Sequence, residues 1–169
     1  GIERIQVCEA VSWEPLDEFE EAWIHPREFY MTSEDRFNQA LEDIETELGN
    51  RLDWFESKDR GLEAHRLEQR TRFDLEMLDE VGSCKGVENY SMHFDGRSRG
   101  DRSYCLLDFF ASNAEQFHGG SDRYLVIMDE SHVTLPQLGG MYGGDFSRKK
   151  NLVDHGFRLP SAYDNRPLR

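Results

Sequence analysis

Apolar positions change their spacing several times along this chain, and each change predicts a different element. In the first thirty residues, short apolar clusters (Ile2, Ile5 and Val7; Trp23 and Ile24; Phe29 and Tyr30) alternate with acids and with Pro15 and Pro26. That pattern predicts short strands joined by loops. From Ser33 the spacing becomes three and four: Phe37, Leu41, Ile44, Leu48, Leu52 and Phe55 form the stripe of an amphipathic helix, with Thr32 or Ser33 as its N-cap. A second helical run extends from Leu62 to about Glu80, carries Ala64, Leu67, Leu75 and Leu78 on one face and stops at Gly82. The two helices read as a hairpin with an acidic outer face. Residues 83–104 are irregular, and Ala111 to Asp122 reads as a flexible polar loop. Arg123 to Met128 is then a short continuous apolar run, the mark of a strand buried on both faces of a parallel sheet, and it ends in Asp129-Glu130-Ser131-His132. The glycines Gly139, Gly140, Gly143 and Gly144 that follow suggest a turn between helices. The segments 1–31, 32–82 and 83–169 therefore read as the end of one small domain, a helical hairpin, and part of an α/β lobe.

The hydrophobic fraction of 37%, with 12% aromatics, is enough for a core in a chain of 169 residues. The apolar run at 124–128 is far short of the roughly 20 residues of a membrane helix, so no membrane association is expected. Three scattered cysteines and six scattered histidines offer no metal or redox spacing, and a reducing, cytoplasmic setting is expected. The net charge of -14 is carried entirely by residues 1–80, which hold 23 acids and 9 bases, whereas residues 81–169 hold 11 of each. A uniform basic footprint for nucleic acid is absent, which leaves a local surface such as 148–169, with Arg148, Lys149, Lys150, Arg158, Arg166 and Arg169. The sequence opens on Gly1-Ile2-Glu3-Arg4-Ile5 without an initiator methionine, as expected of a section of a longer polypeptide.

Adjacent acids at the carboxyl end of a buried strand are what nucleoside triphosphatases use to hold Mg²⁺ and orient water. On that reading Asp129 holds the metal, through a water, and Glu130 acts as general base, while Ser131 and His132 report the state of the nucleotide. A strand end that carries acids for solubility gives the same short pattern. No phosphate-binding string G-x-x-x-x-G-K-[ST] occurs in the sequence, so the chain alone is not expected to hydrolyse ATP.

Longer strings carry a resemblance. Leu67 to Met77 (LEQRTRFDLEM), Gly86 to Ser91 (GVENYS), Asp129 to Gln137 (DESHVTLPQ), Leu152 to Ala162 (LVDHGFRLPSA) and Asp164 to Leu168 (DNRPL) closely resemble, in the same order, the UvrB family, the B subunits of bacterial excinuclease ABC. The resemblance runs from about Thr32 onward, and more loosely before it. It implies a partial RecA-like, helicase-type ATPase lobe at 83–169, the hairpin at 32–82, and at 1–31 the end of a small α+β domain that binds the partner UvrA. It further implies ATP and Mg²⁺ as cofactors of the full-length protein, DNA and the incision subunit UvrC as partners, and contact with the bound DNA strand at Arg70 and Glu88. For Arg70 a helix-surface ion pair with Asp74 is an equal alternative. Two departures stand out: Ser83 replaces an aromatic residue, and Ala111 to Asp122 looks like an insertion. The sheet partners of residues 123–128 are expected outside this chain, which would leave that strand exposed. A non-catalytic DNA- or partner-binding module is the alternative function, and a stand-alone metal-dependent hydrolase built on Asp129 and Glu130 is a third.

Overall fold

The computed structural model describes residues 4–9, 11–21 and 32–167, and the chain divides into two compact units, 1–31 and 32–169. In the first unit, β1 (Ile5–Cys8) and β2 (Pro15–Phe19) pair antiparallel, Ile5 opposite Phe19 and Val7 opposite Asp17, with an irregularity between Val7 and Cys8. Their connection is shaped by the Glu9 carboxylate, which accepts the backbone N–H groups of Val11 at 2.9 Å and Ser12 at 2.6 Å. The expected clusters at Ile2, Trp23, Ile24, Phe29 and Tyr30 lie outside the described residues.

The second unit is built on α1 (Glu34–Glu56) and α2 (Gly61–Val81). The Ser33 hydroxyl accepts the Arg36 N–H, and Glu34 and Asp35 place negative charge at the positive end of the helix dipole. A tight turn with Asp59 in the left-handed region reverses the chain, and Gly82, also left-handed at φ 77, ends α2. The stripe residues do what their spacing predicts. Ala40, Ile44, Leu48 and Phe55 of α1 and Ala64, Leu67 and Leu78 of α2 form one buried cluster, closed by Tyr90, Phe94 and Leu159, with Phe37, Leu41, Leu52 and Leu75 packed at its margin. A 3-10 turn (Val87–Tyr90) and the short α3 (Ser91–Asp95) cover one side, and Phe94 stacks on Phe37 at 5.6 Å between ring centroids.

The structure departs from the pattern-based expectations first within 83–104, where Val87–Tyr90 and Ser91–Asp95 are helical rather than irregular, and more widely beyond residue 104. Most of the polar stretch 111–122 is not a loop: α4 (Leu106–His118) runs through it, started by Asp108, whose carboxylate accepts the Cys105 N–H. Gly139 to Gly144 form no turn either; they lie within α5 (Ser131–Asp154). A helix tolerates glycine at about 1 kcal/mol each relative to alanine, which a long hydrogen-bonded run absorbs. Residues 123–128 join no sheet among the described residues, and Leu125 and Ile127 are 83% and 86% exposed. A strand needs a neighbour for its backbone hydrogen bonds, and β1 and β2 are the only strands among the described residues. The fold of the described residues is thus mostly helical with one small two-stranded sheet, and no parallel α/β sheet is formed within it. A second 3-10 turn (Pro160–Asp164) returns the chain to the hairpin.

Candidate functional site

The acidic motif stands where the extended segment 123–129 enters α5. Glu130 is the N-cap of that helix, with φ 48 and ψ 42, and Ser131 is its first residue. The Glu130 N–H donates to the Asp129 carboxylate at 2.9 Å, and the Thr134 hydroxyl donates to the Asp129 carbonyl at 3.3 Å. His132 Nδ1 lies 3.3 Å from Glu130 Oε2. Asp129, Glu130, Ser131 and His132 are all exposed. Two adjacent carboxylates on the surface are hard oxygen donors, open to a cation that brings its other ligands with it. Among the described residues no group of three or more ligating side chains forms a closed metal cage.

Arg70 and Glu88 lie elsewhere. Arg70, on α2, donates from Nε to Asp74 at 3.0 Å and from a terminal nitrogen to the Lys85 carbonyl at 2.8 Å. The ion pair weighed as the alternative for Arg70 is therefore present. Glu88 is exposed and accepts from the Asn89 amide at 3.2 Å. Among the described residues no hydrogen bond or ion pair joins either of them to Asp129–His132. The bases of segment 148–167 are engaged internally: Arg148 and Lys149 with Asp145, Lys150 with Asp154, Arg158 with Asp74, and Arg166 with the Gly100 carbonyl. Arg66, Arg70 and Arg158 nevertheless share the wall of a groove of about 540 Å³ with Gln69, Leu152 and the half-exposed rings of Phe73 and Phe157.

Two buried carboxylates organise the interior. Glu47 accepts from His93 Nε2 at 2.9 Å, from Arg99 at 2.6 Å and from the Ser161 N–H at 2.9 Å. Burial is the largest influence on it and opposes ionisation. The hydrogen bonds from His93 and Ser161, with the charges of His93 and Arg99, outweigh burial and hold its carboxyl below the usual glutamate range. Asp74, 1% exposed, accepts from Arg70, from the Tyr90 hydroxyl at 2.9 Å and from Arg158 at 3.4 Å. Burial first, then the Asp74 charge, push the Tyr90 phenol up and the Cys84 thiol up to about 12. Glu47 did not stand out among the many acids of that half, and Asp74 was read as a helix-surface partner of Arg70, whereas it is buried. The signal was there in the spacing: Glu47 sits between Ile44 and Leu48, and Asp74 between Thr71 and Leu78, each on its helix's buried stripe.

The helical part of this unit has known counterparts. Residues 35–96 match the family model described as the UvrB third helical domain. Across 99% of its length the chain is 50% identical to UvrABC system protein B of Chlorobium phaeobacteroides strain BS1 and 49% identical to the proteins of that name from Natranaerobius thermophilus and Micrococcus luteus. The chain belongs to the UvrB family. It covers only 22–24% of the length of these relatives. Within this UvrB-family chain the matched helical domain spans α1, α2 and α3, the part that supplies every residue of the buried cluster except Leu159. Among the described residues no helix is long and apolar enough to cross a membrane.

Proposed function

We propose that the chain is a working section of a UvrB-type DNA-repair ATPase, one that contributes the acidic motif of a RecA-like lobe together with part of the DNA-facing helical domain. The observation that carries this reading is the identity of about one half, sustained over 99% of the chain, to proteins named UvrABC system protein B. In that setting residues 123–128 become an inner strand once the rest of the lobe supplies its neighbours, which agrees with their apolar composition and open exposure. UvrA and UvrC are the proposed partners, the cytoplasm the proposed location, and ATP with Mg²⁺ the proposed cofactors.

The donor set fits Mg²⁺, which keeps several waters and takes one or two carboxylates beside substrate phosphates. Asp129 would hold it, through a water, and the bound ion would neutralise charge developing on the phosphates. Glu130 accepts a proton from the attacking water and orients it. His132, 3.3 Å from the Glu130 carboxylate, limits that carboxylate's rotation, and Ser131, the first residue of α5, relays the nucleotide state with it. Arg70 faces the DNA strand across the groove it shares with Arg66 and Arg158, with Phe73 and Phe157 as stacking surfaces for bases. Glu88 lies nearby, on the turn that follows Lys85.

The test is a chimera in which this chain replaces the matching section of the Micrococcus luteus protein. We expect DNA-stimulated ATP hydrolysis in the chimera, its loss with Glu130→Gln, and nucleotide binding that survives the substitution, because a water-activating carboxylate is removed without removing a phosphate contact. Unchanged turnover in the Glu130→Gln chimera would reassign the motif to a structural role.

A further inference from the structure

The two ends of α5 are held very differently. None of residues 131–148 is buried, whereas the far end and the segment after it are stitched to both helices of the hairpin. From α1, Arg51 donates to the Val153 carbonyl at 3.2 Å and Glu47 accepts the Ser161 N–H at 2.9 Å. From α2, Arg66 donates to the His155 carbonyl at 2.7 Å and Asp74 accepts from Arg158 at 3.4 Å. Between these ties sits Gly156, at φ 71, against the backbone of α2. A Cβ at this position would lie 2.3 Å from the Glu63 carbonyl oxygen and 2.9 Å from its carbon. Backbone cannot yield by that much, so only glycine lets the root of α5 rest where it does.

We propose that α5 is a lever whose seat is Gly156, and that Gly156 and Arg66 are positioning residues. Through α5 they fix where Asp129 and Glu130 stand relative to the hairpin, and they pass events on the hairpin's surface to that acidic pair. The lengths make such a device effective. A helix of 24 residues spans about 36 Å, so a tilt of about 5° at the seat moves the far end by about 3 Å. The functional half of this inference rests on the ATPase reading above; the mechanical half does not.

Two measurements separate them. In the 169-residue chain, spin labels on Ser131→Cys and Glu76→Cys, with Cys8→Ser and Cys105→Ser, report the distance from the lever's tip to the hairpin. We expect one narrow distribution, which Gly156→Ala shifts or broadens by several ångströms. Arg66→Gln, which removes one tie without a clash, should do the same to a smaller extent if the glycine variant does not fold. An unchanged distribution in a folded variant overturns the seat. In the chimera, Gly156→Ala, or Arg51→Gln, which removes the tie to the Val153 carbonyl away from the groove at Arg66, should lower DNA stimulation of ATP hydrolysis about fivefold or more while the DNA-independent turnover and its KM stay as they were. Gly143→Ala, where a Cβ meets nothing within 4 Å, should keep the stimulation. If basal and stimulated rates fall together, or neither changes, the coupling is refuted. A parent chimera with no ATP turnover at all counts against the ATPase reading, and the label distances then decide the lever by themselves.

Discussion

Replacing Glu47 by alanine removes the single acceptor on which His93, Arg99 and the Ser161 N–H converge. The Arg99 side chain is 63% exposed and can turn to water. His93 is 8% exposed and Ser161 fully buried, so neither recovers a partner. Buried donors left unpaired cost about 1–3 kcal/mol each. With two such donors stranded, a loss of about 2–6 kcal/mol is expected for Glu47→Ala. Glu47→Gln keeps one carbonyl oxygen for Arg99 and Ser161 and turns an amide toward the imidazole, which accepts when its proton is on Nδ1; the expected loss is about 1–2 kcal/mol. Urea unfolding followed by circular dichroism at pH 7 measures both. The pH dependence gives an independent reading. The carboxyl is held below its usual range when folded, so its contribution is complete above the unfolded value of about 4.3 and is lost as pH falls through the lower, folded one. Wild-type stability should decline on acidification through that window, and the decline should be shallower in Glu47→Gln. A cost below about 1 kcal/mol for Glu47→Ala at pH 7 would contradict the reasoning, since two buried donors cannot lose their acceptor so cheaply.

Other outcomes follow from the core and from exposure. Phe55 is fully buried beneath the guanidinium groups of Arg51 and Arg60, so Phe55→Ala should cost about 3–5 kcal/mol; a melt within a degree or two of wild type would place the packing centre elsewhere. Burial and Asp74 push the Cys84 thiol up to about 12, so iodoacetamide at pH 8 should modify it far more slowly than Cys8 or Cys105, with the difference vanishing in urea. Equal native rates, read by peptide mass spectrometry, would refute this. Hydrogen exchange should protect amides between Phe37 and Leu78 and leave Leu125 to Asp129 fast. Slow exchange at Leu125 to Asp129 in a monomeric sample would mean that the chain completes its own sheet.

The hairpin was legible because everything that defines it is local. The three-and-four spacing from Phe37 to Phe55, the Ser33 cap and the Gly82 stop are each written within a few residues of where they act. What failed beyond residue 104 was less local. In Ala111 to Asp122 the polar residues suggested a loop, yet Ala114 is buried and the Asp108 cap had already committed the chain to a helix. The apolar run 123–128 marks a preference for burial, not a partner, and strand pairing depends on residues remote in sequence. The acidic motif is proposed on its chemistry, because adjacent acids after an apolar run are visible in any string. The buried acids at 47 and 74 required the helical stripe to be read with charge included, since the surface alternative accounts for nearly every other acid on those helices.

Glu130 carries a backbone consequence of its own. At φ 48 and ψ 42 it occupies left-handed helical space, a conformation that costs a residue with a Cβ roughly 1–2 kcal/mol and that glycine adopts freely. A search for stabilising substitutions on conformational grounds alone would select position 130 and favour glycine. The variant would fold more readily and would lack the carboxylate next to Asp129. Thermostability screens on this chain should therefore be read together with an activity assay on the chimera, because at this position the two quantities are expected to move in opposite directions.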